Sequence, residues 1–462
     1  MQEPKIKNFN DFKGGYRPDY GNLVEVPGWR KLFNLYLDSE EQVYGRPHLK
    51  ATGFSNITGI GISHDNQLVV ASNGTLYIGN SPVAGITGSG RLSFDYQTDR
   101  TIVCTGGQPV LWDGINTKQI PRTNIYSLAT AGGAYKARLY AVDTENRKRL
   151  WVSEALDPSD FAETFLTDPS GIADDKKTSG GRFYGFSHDI LDIREYDNKI
   201  VILTEKAFYS MVDALDNTIE NVGYFPTLVR EYDIDVYDAK PARLTKALLF
   251  LNGTGIYLYP EFDRVPMTGI ERTIRALLIN GNSHISVDRM RRLIYLCPDD
   301  STPETYIFHV DWKMWTKWDI GIKDCVLIDN VTYAHTVDDN LYTLEDTKFA
   351  GLVPYDITIQ SGLSGFDNPS TRKRFKSLSV EFQSEDQFNY FLDILTEKID
   401  LDSIAMNQLL DPTDRIDTNV GGQSERGSII CIFTNYGQFR LSNIMVNYAE
   451  KQPRIPLGLS PI

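Results

Sequence analysis

Clustered cations are the first residues in this sequence that could do chemistry, because neighbouring basic side chains can hold phosphates or acidic proteins. Two groups stand out: Arg289, Arg291 and Arg292, then Arg372, Lys373, Arg374 and Lys376. The whole-chain balance argues against a nucleic-acid grip. There are 47 basic and 61 acidic residues, a formal charge of −14, and such a field repels phosphate at long range. Both groups are expected on solvated faces or interface rims, and the candidate partner interface is Arg372, Lys373, Arg374 and Lys376.

Other chemistry finds little support in residue spacing. The six histidines (His48, His64, His188, His284, His309, His335) are scattered, with no HExxH. The four cysteines, Cys104, Cys297, Cys325 and Cys431, lie far apart in apolar runs, so they are expected as buried free thiols in a reducing compartment. Asp338, Asp339 and Asn340 offer oxygens, as do Asp233, Asp235 and Asp238, but neither set has the ligand spacing of a calcium loop. Glycine pairs at 88–90, 106–107, 132–133 and 180–181 precede no helical pattern that would supply an anion site. No GxxxxGK[ST] or GxSxG occurs. No catalytic residue, no cofactor and no metal site is expected. Facing carboxylates for glycoside cleavage are unconstrained among so many acids. A propeller-type glycan-binding or glycan-hydrolysing protein is therefore the alternative.

The elements that must position these residues read as strands and turns. Tyr, Phe and Gly number 25, 22 and 36, and they alternate with Thr, Val and Ile. A short phrase recurs seven times: a turn residue, then alternating apolar and aromatic residues, often closing on an acid or Gly. Its copies begin at Gly74, Gln108, Arg149, Lys206, Gly255, Thr305 and Asn340. Most follow another strand-like run and a tight turn, with Asn-Gly dipeptides at 73–74 and 252–253. Irregular copies of a β unit of roughly 35–55 residues predict a β-propeller of six or seven blades over 51–352. One small sheet cannot cover both its faces, and radial stacking covers them. Trp312, Trp315 and Trp318 are expected to pack between blades rather than to stack bases.

From about Tyr355 longer alternating strands predict a C-terminal sandwich-like β-domain over 353–450. Residues 1–50 are expected as an arm or connector, and 451–462 as an extended tail. Helical periodicity is best at Asp157 to Phe165 and around Leu401 to Leu410. No apolar run reaches the ~18 residues of a membrane span. The opening residues have no apolar leader, so the sequons at Asn56, Asn73, Asn252 and Asn330 are expected to be chance.

Residues 26–114 also carry a resemblance. Val26-Pro27-Gly28 leads into Trp29-Arg30-Lys31, and NGTLYIGNSPVAGITGSGRLSFDYQTDRTIVCTGGQPVLWDG follows at 73–114. This resembles the tail nozzle, or hub, proteins of short-tailed bacteriophages, also called packaged-DNA stabilisation or tail accessory proteins. Length agrees, as does RLWVSEALDPSDF from Arg149. The resemblance implies a non-enzymatic virion protein, made in the host cytoplasm and placed in the tail. It would form a homo-hexamer below the portal-adaptor protein, carry a tail spike or fibre protein, and hold a tail needle or plug. DNA would pass through the lumen without specific binding. An acidic or polar inner wall is then expected, with the 372–376 cluster turned towards a protein neighbour.

Overall fold

The computed structural model describes residues 5–9, 11–12, 14–20, 29–83, 92–97, 99–120, 125–131, 138–153, 182–197, 199–212, 226–231, 242–244, 247–278, 282–347, 349–361, 372–384, 388–395, 406–408, 414–424, 426, 428–435 and 437–450. They form an all-β protein whose main body is a β-propeller. Six free-standing four-stranded sheets stand in a ring, and a seventh four-strand meander fills the remaining gap. In ring order the units span 57–83, 93–119, 125–185, 190–231, 242–264, 284–318 and 322–345. They are called units one to seven below. The meander 284–318, unit six, is one end of a nine-stranded sheet.

Each unit is an antiparallel meander with its first strand innermost. The seven recurring phrases are the seven third strands: Thr75–Ile78, Val110–Trp112, Arg149–Val152, Ala207–Val212, Gly255–Tyr259, Thr305–His309 and Leu341–Glu345. The more uniformly apolar run before each phrase is the second strand, such as Leu68–Ser72 and Lys199–Thr204, sandwiched between neighbouring units and buried along most of its length. Each adjacent pair of units shares an apolar cluster, and the seventh closes back on the first through Val326, Tyr333 and Ile60. Closure is also covalent in effect. His48–Ala51, from before unit one, pairs with Leu341–Glu345 as the outer strand of unit seven. The hairpin at Asn73-Gly74 has positive φ at both residues, the geometry a two-residue turn needs. At 252–253 the Asn instead ends the strand, paired with Gly255.

Between units one and two the packing leaves no room for side chains. A Cβ at Gly59 would fall 2.5 Å from Leu92 Cβ, and one at Gly61 2.3 Å from the Phe94 ring. Four inner strands share a register shift at their start, between Ile57/Gly59, Ile125/Ser127, Ile190/Asp192 and Ile322/Asp324. The pattern Ile-x-Gly/Ser/Asp marks a bulge that bends each strand into the ring.

The second unit is a two-sheet sandwich built from both ends of the chain. One sheet orders Trp29–Phe33, Tyr355–Ser361, Ser428–Asn435, Asn389–Leu395 and Asn407–Gln408. The other orders Leu35–Leu37, Val43–Gly45, Phe439–Glu450, Lys373–Ser384 and Arg415–Ser424, with Lys5–Asn8 also paired to Phe439–Glu450. The stretch expected as an arm thus supplies four sandwich strands and one propeller strand. Trp29–Phe33 runs parallel to Met314–Trp318 at Phe33–Lys317, which makes the sandwich sheet continuous with unit six.

The three tryptophans serve this junction. Trp315 and Trp318 are buried and Trp312 is half-buried. Their indole N–H groups donate to the Pro266, Leu35 and Asp38 carbonyls at 2.7, 2.9 and 2.7 Å, so they fasten flanking segments onto unit six.

Among the described residues one α-helix occurs, Glu271–Leu278. The helix expected around Leu401 to Leu410 is not found where the chain is described: Asn407–Gln408 is a strand pairing with Asn389 and Tyr390. The candidate at Asp157 to Phe165 lies outside the described residues, as do 88–90, 132–133, 180–181, Asp233, Asp235, Asp238 and the tail 451–462.

Candidate partner interface

The group Arg372 to Lys376 opens the strand Lys373–Ser384, and strand alternation divides it. Lys373 and Phe375 turn inward and are buried, while Arg372, Arg374 and Lys376 are exposed. Lys376 is the extra residue where the register shifts between Phe375 and Ser377, and a bulge of this kind re-aims a side chain. The expected four-residue strip is therefore three cations at a corner of the sandwich. Among the described residues no carboxylate pairs with these three.

The same corner presents an apolar side chain. Ile6 lies opposite Asn447 and is 68% exposed. Asn443 and Asn447 keep buried carboxamide oxygens that accept no hydrogen bond. Exposed cations and an exposed isoleucine suit a protein surface that offers acids.

The other basic group behaves differently from the expectation of a solvated face. Arg291 is buried. Its guanidinium donates to Asp288 at 2.8 Å and to Asp346 at 2.6 Å, bridging units six and seven. Asp288 also accepts from the Tyr295 hydroxyl at 3.0 Å. The two carboxylates hold Arg291 in its charged form against the cost of burial. Arg292 is exposed and forks onto Asp311. Asp288 lies three residues before Arg291, but Asp346 and Asp311 lie elsewhere in the chain, and it is these that give the two neighbours different surroundings.

A second polar cluster locks the propeller to the sandwich. The Arg46 guanidinium sits 3.8 Å from the Tyr355 ring centroid and donates to Asp319 at 2.8 Å and to Asn34 Oδ1 at 3.2 Å. Asn435 donates to the Tyr355 hydroxyl at 2.8 Å. His48, in the ring-closing strand, lies against Tyr355 and Gly437, and burial holds its pKa below the ordinary value. His309 is buried deeper. It accepts from the Leu37 N–H at 3.4 Å, and burial pushes its pKa down to about 4.

The remaining candidates resolve into turns and core. Asp338 accepts from Thr336, Asn340 and Tyr342, and Asp339 takes Lys323 at 2.8 Å, so protein donors occupy their oxygens. All four cysteines are buried and free. Burial pushes their thiols up, to about 11 at Cys104 and about 12 at Cys297. Among the described residues no group of three or more His, Cys, Asp and Glu could hold a metal ion. No helix among them is long and apolar enough to cross a membrane.

No family model and no curated protein matches the chain. Among solved structures, it is similar to the computationally designed Ika8 protein, at 9% identity over 70% of this chain and 99% of that one, with a TM-score of 0.38. It is similar to the extracellular domain of the hybrid two component system BT4673 from B. thetaiotaomicron, at 10% identity over 76% of this chain and 43% of that one, with a TM-score of 0.42. It is also similar to BamB from Moraxella catarrhalis, at 10% identity over 69% of this chain and 98% of that one, with a TM-score of 0.34.

Proposed function

We propose that this chain is a structural component of the tail of a short-tailed bacteriophage, one copy of the ring-shaped nozzle or hub below the portal-adaptor complex. The observation that supports the reading best is the path of residues 29–51, inside the stretch that resembles tail nozzle proteins. Trp29–Phe33 extends unit six into the sandwich, and His48–Ala51 closes the propeller ring. A conduit wall must hold its shape while DNA moves past, and one sheet running through both units resists hinge motion between them. The acidic charge suits a lumen through which phosphate slides without sticking. In this reading the protein is not an enzyme. It assembles as a homo-hexamer in the virion, and it bears spikes or fibres and a needle or plug.

The test is electron microscopy of the purified chain mixed with an adaptor ring. Sixfold particles with one propeller per subunit are expected. Absence of any complex with adaptors, together with release of reducing sugar from capsule or lipopolysaccharide, would overturn the reading in favour of the glycan alternative.

A further inference from the structure

Residues 14–20 belong to no strand, yet they bond to three elements. The Tyr16 N–H donates to the Trp315 carbonyl at 2.7 Å, on the outer strand of unit six. The Trp29 N–H donates to the Gly15 carbonyl at 2.8 Å, and the Arg17 N–H to the Trp29 carbonyl at 2.9 Å, on the strand Trp29–Phe33. The Asp19 N–H donates to the Gly269 carbonyl at 3.0 Å, just before the helix Glu271–Leu278. The Asp19 carboxylate accepts from the Arg272 N–H at 2.6 Å and from the Thr273 N–H and hydroxyl at 3.2 and 2.7 Å. The fit is close: a Cβ at Gly269 would fall 2.7 Å from the Arg17 side chain.

The helix depends on this strap. It has eight residues, short of the roughly 12–15 that an isolated helix needs, and it buries only Ile274 and Leu278. Its first N–H groups have no partner within the helix, and Asp19, 253 residues before Arg272, supplies the acceptor. The ring depends on neither segment, because no strand pairing of units five and six runs through them.

We propose that residues 14–20 and the helix Glu271–Leu278 form a clasp that opens and closes as one event, separately from unfolding of the ring. The coupling is reciprocal: a docked strap caps the helix, and a formed helix holds the strap by the same free energy. Such a local opening draws on few buried contacts, so it lies below global unfolding in cost. Opening bares part of the outer edge of unit six. Trp29–Phe33 pairs with that edge at Phe33–Lys317, and the strap covers it at Trp315. The clasp therefore decides whether the edge at Trp315 is open to another strand. The inference does not rest on the tail reading.

Hydrogen exchange of the full chain, read by mass spectrometry, tests the clasp from both sides. Ala276 is exposed on the helix and is not among the residues that bond the strap, so Ala276→Gly weakens the helix through its backbone alone. The helix amides and the bonded amides of Tyr16, Arg17 and Asp19 should all exchange about fivefold faster, with units two and three at the parent's rate. Asp19→Ala removes the cap and should speed both segments about tenfold. Acceleration confined to the helix in Ala276→Gly would overturn the proposal, since the strap would then hold without it. Helix amides that exchange at the parent's rate in Asp19→Ala would overturn it from the other side. Equal acceleration in units two and three would show the ring opening as a whole, and the clasp would not be a separate unit.

Discussion

Units six and four share one strand order, and their outer edges are opposite extremes. In unit six the outer strand Met314–Trp318 is buried at four of five positions and continues into the sandwich through Trp29–Phe33. In unit four the outer strand Thr227–Glu231 is exposed at all five, with Leu228 and Val229 open to solvent. Their inner halves are alike, because Ile190–Tyr196 and His284–Asp288 both begin strands that pack against neighbouring units. A propeller closes through its inner and middle strands, so its outer edges are free to diverge. An edge strand is a template for pairing, and this chain uses one such edge to attach a whole module.

The contrast sharpens first at charge. Arg291→Met leaves Asp288 buried without its cation, and the expected loss is ~3–5 kcal/mol in urea unfolding. The neighbouring Arg292–Asp311 pair is solvent-exposed, so Arg292→Gln should change stability by about 0.5 kcal/mol or less. Equal effects of the two substitutions would mean that the buried bridge between units six and seven does not carry the junction.

Acid probes the junction between unit six and the sandwich. His309 accepts a hydrogen bond from Leu37, and its folded pKa of about 4 lies below the ordinary 6.5. The unfolded chain therefore takes up the proton first. The stability from neutral His309 is complete above pH 6.5, falls as pH drops towards 4, and is gone below it, a loss on the order of 3 kcal/mol. Asp311 opposes this loss and Thr316 accompanies the ring at 2.9 Å. The His309→Gln variant should show a flatter pH profile between 6.5 and 4 than the parent. Parallel profiles would remove His309 from the account.

Much of the propeller was legible because it repeats. Seven phrases in the text are seven third strands, and repetition exposes a pattern that no single copy makes clear. The second unit was legible only in part. Its C-terminal strands alternate visibly from Tyr355, but four of its strands come from the first 45 residues, and three of these pair with chain some 300 or more residues away. The helix Glu271–Leu278 was missed for a related reason. Its N-terminal N–H groups are capped by Asp19, which accepts from Arg272 at 2.6 Å and from Thr273 at 3.2 Å, so no local cap announces it. The basic cluster was found by composition, and strand alternation with a bulge then decided which three cations face out.

The smallest expected effect tests the open edge directly. Among the described residues Thr227–Glu231 pairs only with Ala207–Val212, and its Leu228 and Val229 are 50% and 43% exposed. Replacing both by Ser removes little buried apolar area and leaves the backbone ladder intact. Stability should change by no more than about 0.5 kcal/mol, as at ordinary surface positions, with an unchanged urea slope. The same logic applied to unit six gives the opposite result. Trp318→Ala empties a fully buried site and removes the N–H bond to Leu35, and there ~3–5 kcal/mol is expected. A loss above about 1 kcal/mol in the Leu228→Ser, Val229→Ser variant would mean that unit four's edge is covered in the folded chain. The two units would then differ in what covers the edge rather than in whether it is covered.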